Sequence, residues 1–275
     1  MCPVKFMKPN TVSRHQNIPN PASYRAFTLV ELVVVIAILA LVAAMSLPAL
    51  CKTNIKSHGL HCMSNLKTLT AAWTSYSLDN NELLLDSRTW MNGDVSQPSS
   101  SDFIDQLNTL PSEALNAYLR GNVKIYKCPS DYRTSTITNK LGTPVCRSVA
   151  MNCYMGIGWD SGFLVYKKIS DFSRPGPRNT FVFADESPLS IDDGFFVMPM
   201  DTYDPNNLPV KSWVNVPAAY HSNAGTLSFA DGHVETHKWK DARTLTARLG
   251  EASPNNLDID WLQSKSSAKI ANPTR

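Results

Sequence analysis

The run from Phe27 to Leu50, FTLVELVVVIAILALVAAMSLPAL, holds 24 residues and one charge, Glu31. A helix with this sequence has no polar face, so it needs lipid or other apolar helices around it. At the usual rise it would be about 36 Å long, against a bilayer core of about 30 Å. Lys5, Lys8, Arg14 and Arg25 precede it with no acid among them. Basic residues before a span keep the short N-terminal side in the cytoplasm. The expectation is therefore a single-pass membrane protein whose C-terminal 225 residues are exported. A cleaved secretory signal would have a shorter apolar region and a small-residue cleavage site. Pro48-Ala49-Leu50-Cys51 does not offer one, and Cys51 follows Leu50 rather than the small residue of a lipoprotein signal.

Composition narrows the function classes. The net charge is +3, with four of the 26 basic residues in the leader. Beyond it, 22 basic residues face 23 acidic ones, which argues against a dedicated nucleic-acid surface. Six scattered cysteines without a CxxC pair suit neither a disulfide miniprotein nor a zinc ribbon. No P-loop, GxGxxG or HExxH is present. No cofactor, no metal and no catalytic residue is expected.

Glu31 is costly in oil, by up to about 2.5–3.5 kcal/mol at a helix centre and less near the interface, so it needs a partner. The segment Arg25-Ala26-Phe27-Thr28-Leu29-Val30-Glu31 resembles the processing site of type IV prepilins and type II secretion pseudopilins. That resemblance implies cleavage between Ala26 and Phe27 by a prepilin peptidase/methyltransferase, which leaves 249 residues and a methylated amine on Phe27. Ala26 stands where that family usually has Gly, and Pro48 falls where its membrane helix commonly carries a proline. The implied partners are the peptidase, other pilin-like subunits, an inner-membrane assembly platform and membrane lipid. Physically, the freed amine of Phe27 is a cation at the membrane, and Glu31 of a neighbouring subunit is its natural counter-ion. Pairing the two in a low-dielectric medium favours one axial stagger, and head-to-tail contacts that do not close give a filament.

Cys62, Leu66, Leu69, Trp73 and Tyr76 recur at spacings of 4, 3, 4 and 3, one face of a helix. One helix is expected from about Phe27 to Asp79, kinked or softened at Pro48 and Gly59 and stopped at Asp79-Asn80-Asn81. The domain plan is a leader at 1–26, a membrane helix at 27–50, its amphipathic continuation at 51–80 and an exported α+β domain at 81–275. The fold class is α+β and pilin-like: a long N-terminal transmembrane helix packed on a small antiparallel sheet.

In the exported part, 87–102 reads as a surface loop. Asp102–Leu107 and Ser112–Leu119 read as short helices. Val123–Tyr126, Arg147–Tyr154 and Thr180–Ala184 read as strands, with turns at Cys128–Asp131 and Arg174–Pro177. The clearest element is 217–239, a hairpin with Asp231-Gly232 as a two-residue turn. That register puts Leu227, Phe229 and Val234 on the core face. Ser228, His233, Glu235 and His237 then share the wetter face. His221, followed by nine residues and Asp231-Gly232, resembles the signature of a large group of bacterial prepilin-like proteins named for that spacing. Cys128-Pro129-Ser130-Asp131 and Ile259-Asp260-Trp261-Leu262 are similar to that group too.

Two rival chemistries are weighed against this plan. A membrane-anchored periplasmic enzyme or ligand-binding protein would use the His221, Asp185 and His233 region. A strand between His221 and Asp231 would hold those two roughly 15 Å apart, so both read as structural. A calcium site of loop carbonyls with Asp192, Asp193 or Asp201 lacks an EF-hand loop. Of the cysteines left after processing, Cys128 and Cys146 are the favoured bridge, with Cys51 as the spare.

Overall fold

The computed structural model describes residues 27–91, 93–105, 113–201, 203 and 211–270, with side chains described outside 45–55, 105 and 113. The chain divides into two compact units, 1–49 and 50–275. Helix α1 (Leu29–Asp79) is 51 residues long and runs through both Pro48 and Gly59. It stops where expected. The Asn80 side chain donates to the Tyr76 carbonyl at 2.7 Å, and Asn81 turns left-handed at φ 56°. In the first unit every residue from 27 to 44 is exposed. Among the described residues no helix is long and apolar enough to cross a membrane. The described apolar side chains, 29–44, make about 24 Å of helix, so the span expected at 27–50 extends outside them.

The second unit is built on a five-stranded sheet. Its strands are β1 (Val149–Asn152), β2 (Phe181–Asp185), β3 (Phe195–Phe196), β4 (Ala224–Phe229) and β5 (Val234–Lys238), in the order β3-β1-β2-β4-β5. The expected antiparallel sheet is corrected to a mixed one, because the two-residue β3 runs parallel to β1. The stripe on α1 packs on one face. Leu66, Leu69 and Trp73 are fully buried with Val149, Met151, Val182 and Phe183, each large side chain contributing about 1.5–3 kcal/mol. The other face carries α4 (Leu257–Ser266) through Ile259 and Leu262, with Trp213, Trp239, Phe181, Leu227 and Phe229. A break in the β2–β4 register between Phe181 and Phe183 lets Val182 and Phe183 both face the α1 side.

Three expectations on local structure are revised. Val123–Tyr126 is a 3-10 helix, not a strand. Gly121 (φ 71°) turns the chain just before it, and the run is too short for periodicity to distinguish the two. The 87–102 stretch is no mere surface loop. Trp90, Met91 and Val95 are buried, and Trp90 packs 5.1 Å from the Phe183 ring. The two short helices form where expected, as α2 (Asp102–Asp105) and α3 (Glu113–Leu119), while Leu107 and Ser112 lie outside the described residues.

The third revision is the hairpin, whose register is shifted by one. Ser228 pairs with Val234 and Leu227 with Glu235, and the Phe229 N–H donates to the His233 carbonyl at 3.0 Å. The loop therefore has three residues, Ala230-Asp231-Gly232, with Gly232 left-handed at φ 87°. One residue of slip exchanges the faces. His233, Glu235 and His237 lie on the side of Leu227 and Phe229, and Val234 lies on the α1 side. His233 stacks on Phe229 at 4.3 Å and His237 on Trp261 at 3.6 Å. Gly232→Ala is expected to cost about 1–2 kcal/mol and Gly232→Asn less, read by denaturant unfolding. Equal stability of the two variants would reject the left-handed requirement.

Candidate functional site

At the N-terminal motif, Ala26 lies outside the described residues and Phe27 is exposed. Thr28 and Glu31 form a reciprocal cap at the start of α1. The Thr28 N–H and hydroxyl donate to Glu31 Oε2 at 2.9 and 2.7 Å, and the Glu31 N–H donates to Thr28 Oγ1 at 3.2 Å. This is a capping box, whose sequence signal is T-x-x-E. Glu31 thus has a partner in its own chain. Cleavage before Phe27 would leave every group of this cap in place. Pro48 sits within α1, with its side chain outside the described set.

In the second unit, four buried side chains from distant parts of the chain converge. They are Cys62 on α1, Cys128 at the head of its turn, Asp185 at the end of β2 and His221 just before β4. One ligand atom from each lies within 4.8 Å of all the others. Cys62 Sγ touches Asp185 Oδ2 at 2.5 Å, and Cys128 Sγ faces His221 Nε2 at 3.3 Å. The local chain explains each placement. Cys62 belongs to the buried stripe of α1. The Asp131 N–H donates to the Cys128 carbonyl at 3.0 Å, which closes the turn. Ser222 and Asn223, both left-handed, reverse the chain after His221, whose N–H donates to the Ala224 carbonyl. Ser148 ties two of the four together. It accepts from the Cys128 N–H at 2.7 Å, and its hydroxyl lies 3.4 Å from Asp185 Oδ1.

The electrostatics favour uncharged forms. Burial lifts the Asp185 carboxyl to about 7. Contact with Cys128, then burial and the Asp185 carboxylate, hold the Cys62 thiol well above the usual range. Burial, then the nearby His58, lowers His221, so its imidazole is neutral near pH 7. Among the described residues no Lys or Arg forms an ion pair with Asp185. His221 Nδ1 is buried with no partner among them.

The other candidate residues sit elsewhere. Asp231 and Gly232 form the hairpin loop at the far end of β4 from His221. Asp231 accepts from the His233 N–H at 3.1 Å and lies 2.5 Å from His233 Nδ1, as a turn former does. His233 is therefore not with His221 and Asp185. The Cys128–Cys146 bridge is not formed, because Cys146 Sγ lies against the Asp102 carbonyl at 3.4 Å while Cys128 faces His221. In the loop weighed for calcium, the backbone carbonyls of Asp192 and Asp193 accept from the buried Arg147 guanidinium at 3.2 and 2.6 Å. Sequence reading missed Cys62 and Cys128 as partners because 66 residues separate them and no short spacing links them. Cys62 read as one member of an apolar stripe, and Cys128 as half of a bridge.

Residues 22–47 match the family model described as the prokaryotic N-terminal methylation motif. That match supports a prepilin- or pseudopilin-type protein, a substrate of prepilin peptidase that assembles with pilin-like subunits in general. No curated protein and no solved structure matches the chain.

Proposed function

We propose that this protein is a structural subunit of a type II secretion pseudopilus or a type IV pilus-like fibre, held in the inner membrane by its N-terminal helix before assembly. The observation that carries the reading is the coincidence of two features on one helix. The methylation motif at 22–47 overlaps the start of α1, and every residue of that helix described up to 44 is exposed and, apart from Glu31, apolar. A helix exposed and apolar all round is stable only among lipids or other helices. A fibre whose core is made of such helices supplies the second environment after the bilayer supplies the first.

In this reading prepilin peptidase cuts between Ala26 and Phe27, and the Phe27 amine pairs with Glu31 of the next subunit. The positive end of the helix dipole disfavours that amine, so a nearby carboxylate is needed. The resemblance of the His221-to-Asp231-Gly232 segment to a group of bacterial prepilin-like proteins supports the same class. The second unit faces the periplasm or the fibre exterior, and no turnover is assigned to it.

Mass spectrometry of the mature N-terminus tests the proposal. The expected product begins with N-methylphenylalanine at position 27. An intact Met1, or a cut near residue 50, overturns it.

A further inference from the structure

We propose that Cys62, Cys128, Asp185 and His221 bind one zinc ion, which fastens the 56–79 part of α1 to the sheet unit. The site lies wholly within residues 50–275 and does not rest on the fibre reading.

The donor set is the first argument. Two thiolates, one imidazole and one carboxylate make four donors of the kinds zinc takes in tetrahedral sites. With metal–ligand bonds of about 2.0–2.3 Å, the edges of such a tetrahedron are about 3.4–3.8 Å. The four atoms already lie within 4.8 Å of one another, so movements of about 1 Å or less would close the shell. Thiolates disfavour calcium and magnesium, and a carboxylate is a poor ligand for copper(I), which leaves zinc.

Burial is the second. Asp185 is 1% exposed and has no cationic partner among the described residues. A buried carboxylate is normally paired or metal-bound. His221 is 7% exposed, and its Nδ1 is orphaned. With Nε2 on the metal, that nitrogen carries the ring proton and faces Gly59. A Cβ built on Gly59 would lie 3.5 Å from it.

Support around the ligands is the third. The Ser130 N–H lies 3.4 Å from Cys128 Sγ, as a donor to a thiolate would. Ser148 steadies both Cys128 and Asp185, the orienting role that outer-layer groups play at metal sites. A groove lined by Lys56, Gly59, Leu60, Met63, His221 and Ser222 gives a way in.

Binding releases the two thiol protons, and that of Asp185 where its carboxyl is protonated, and leaves His221 neutral. The three anionic ligands and the divalent cation then sum to one negative charge. All four positions are filled by the chain, so the role is structural rather than catalytic. The competing fate of two adjacent thiols in an exported protein is a Cys62–Cys128 disulfide.

The test uses the full-length chain, extracted from membranes with its thiols trapped. Elemental analysis should find close to one zinc per chain. After chelation, cobalt(II) should restore the stoichiometry and give thiolate-to-metal charge transfer with the intense visible bands of a tetrahedral site. Cys62→Ser and Cys128→Ser should each weaken binding by about 100-fold or more and remove about half of the charge-transfer intensity. Cys146→Ser should leave both unchanged. The proposal is overturned if the unmodified chain takes up neither metal, if its mass shows a Cys62–Cys128 disulfide, or if Cys146→Ser matches Cys62→Ser. The cobalt spectrum of the unmodified chain needs no variant to fold. A metal-free chain that begins with N-methylphenylalanine would reject the zinc site alone.

Discussion

Glu31→Gln protein is expected to insert and fold yet to co-assemble poorly with unmodified subunits. Glutamine keeps the cap. Its carbonyl accepts from Thr28 as the carboxylate does, at the 2.7–2.9 Å contacts seen here, and Gln serves as well as Glu at that position of a capping box. What it removes is the charge. Close interfacial charge pairs couple by about 1.5 kcal/mol or more, so crosslinked dimer yield should fall about tenfold or more. Glu31→Leu removes cap and charge together and should do no better. The comparison separates two roles that one side chain fills in this structure. If Glu31→Gln assembles like the parent while Glu31→Leu does not, Glu31 is a helix cap and the registration idea is wrong.

Arg147→Ala should destabilise the second unit by about 3–5 kcal/mol, seen as a lowered denaturant midpoint. Arg147 is completely buried just before β1. Its guanidinium donates to the carbonyls of Val149, Asp192 and Asp193 at 2.8, 3.2 and 2.6 Å. Those bonds join the start of β1 to the loop that leads into β3. Truncation leaves a cavity and takes the guanidinium donor from one buried and two part-buried carbonyls, of which, among the described residues, only that of Asp192 keeps a further donor, the Val95 N–H. Arg147→Lys should recover less than half, because a compact ammonium cannot reproduce the planar fork. A loss below about 1 kcal/mol in Arg147→Ala would show that water or backbone movement replaces the guanidinium.

Where sequence and structure agree, the reason is local. α1 was legible from its apolar periodicity and from Asn80-Asn81, β2 from its β-branched and aromatic run, and the hairpin from Asp231-Gly232. Where they part, a single residue or a distant contact decided. Gly232 in a three-residue loop, rather than a two-residue one, moved His233, Glu235 and His237 to the other face. Trp90 lies in a stretch of Ser, Gly and Pro, yet it is buried because Phe183 and Tyr126 need a large ring against them.

The amino-acid order by itself determined the N-terminal chemistry. A cap, an apolar helix and a processing motif are contiguous, and each depends on neighbours within a turn or two. Only the tertiary structure decided that Cys62, Cys128, Asp185 and His221 meet. Their spacings of 66, 57 and 36 residues carry no periodic signal. They come together because a helix stripe, a turn, a strand end and a left-handed reversal are packed around one sheet.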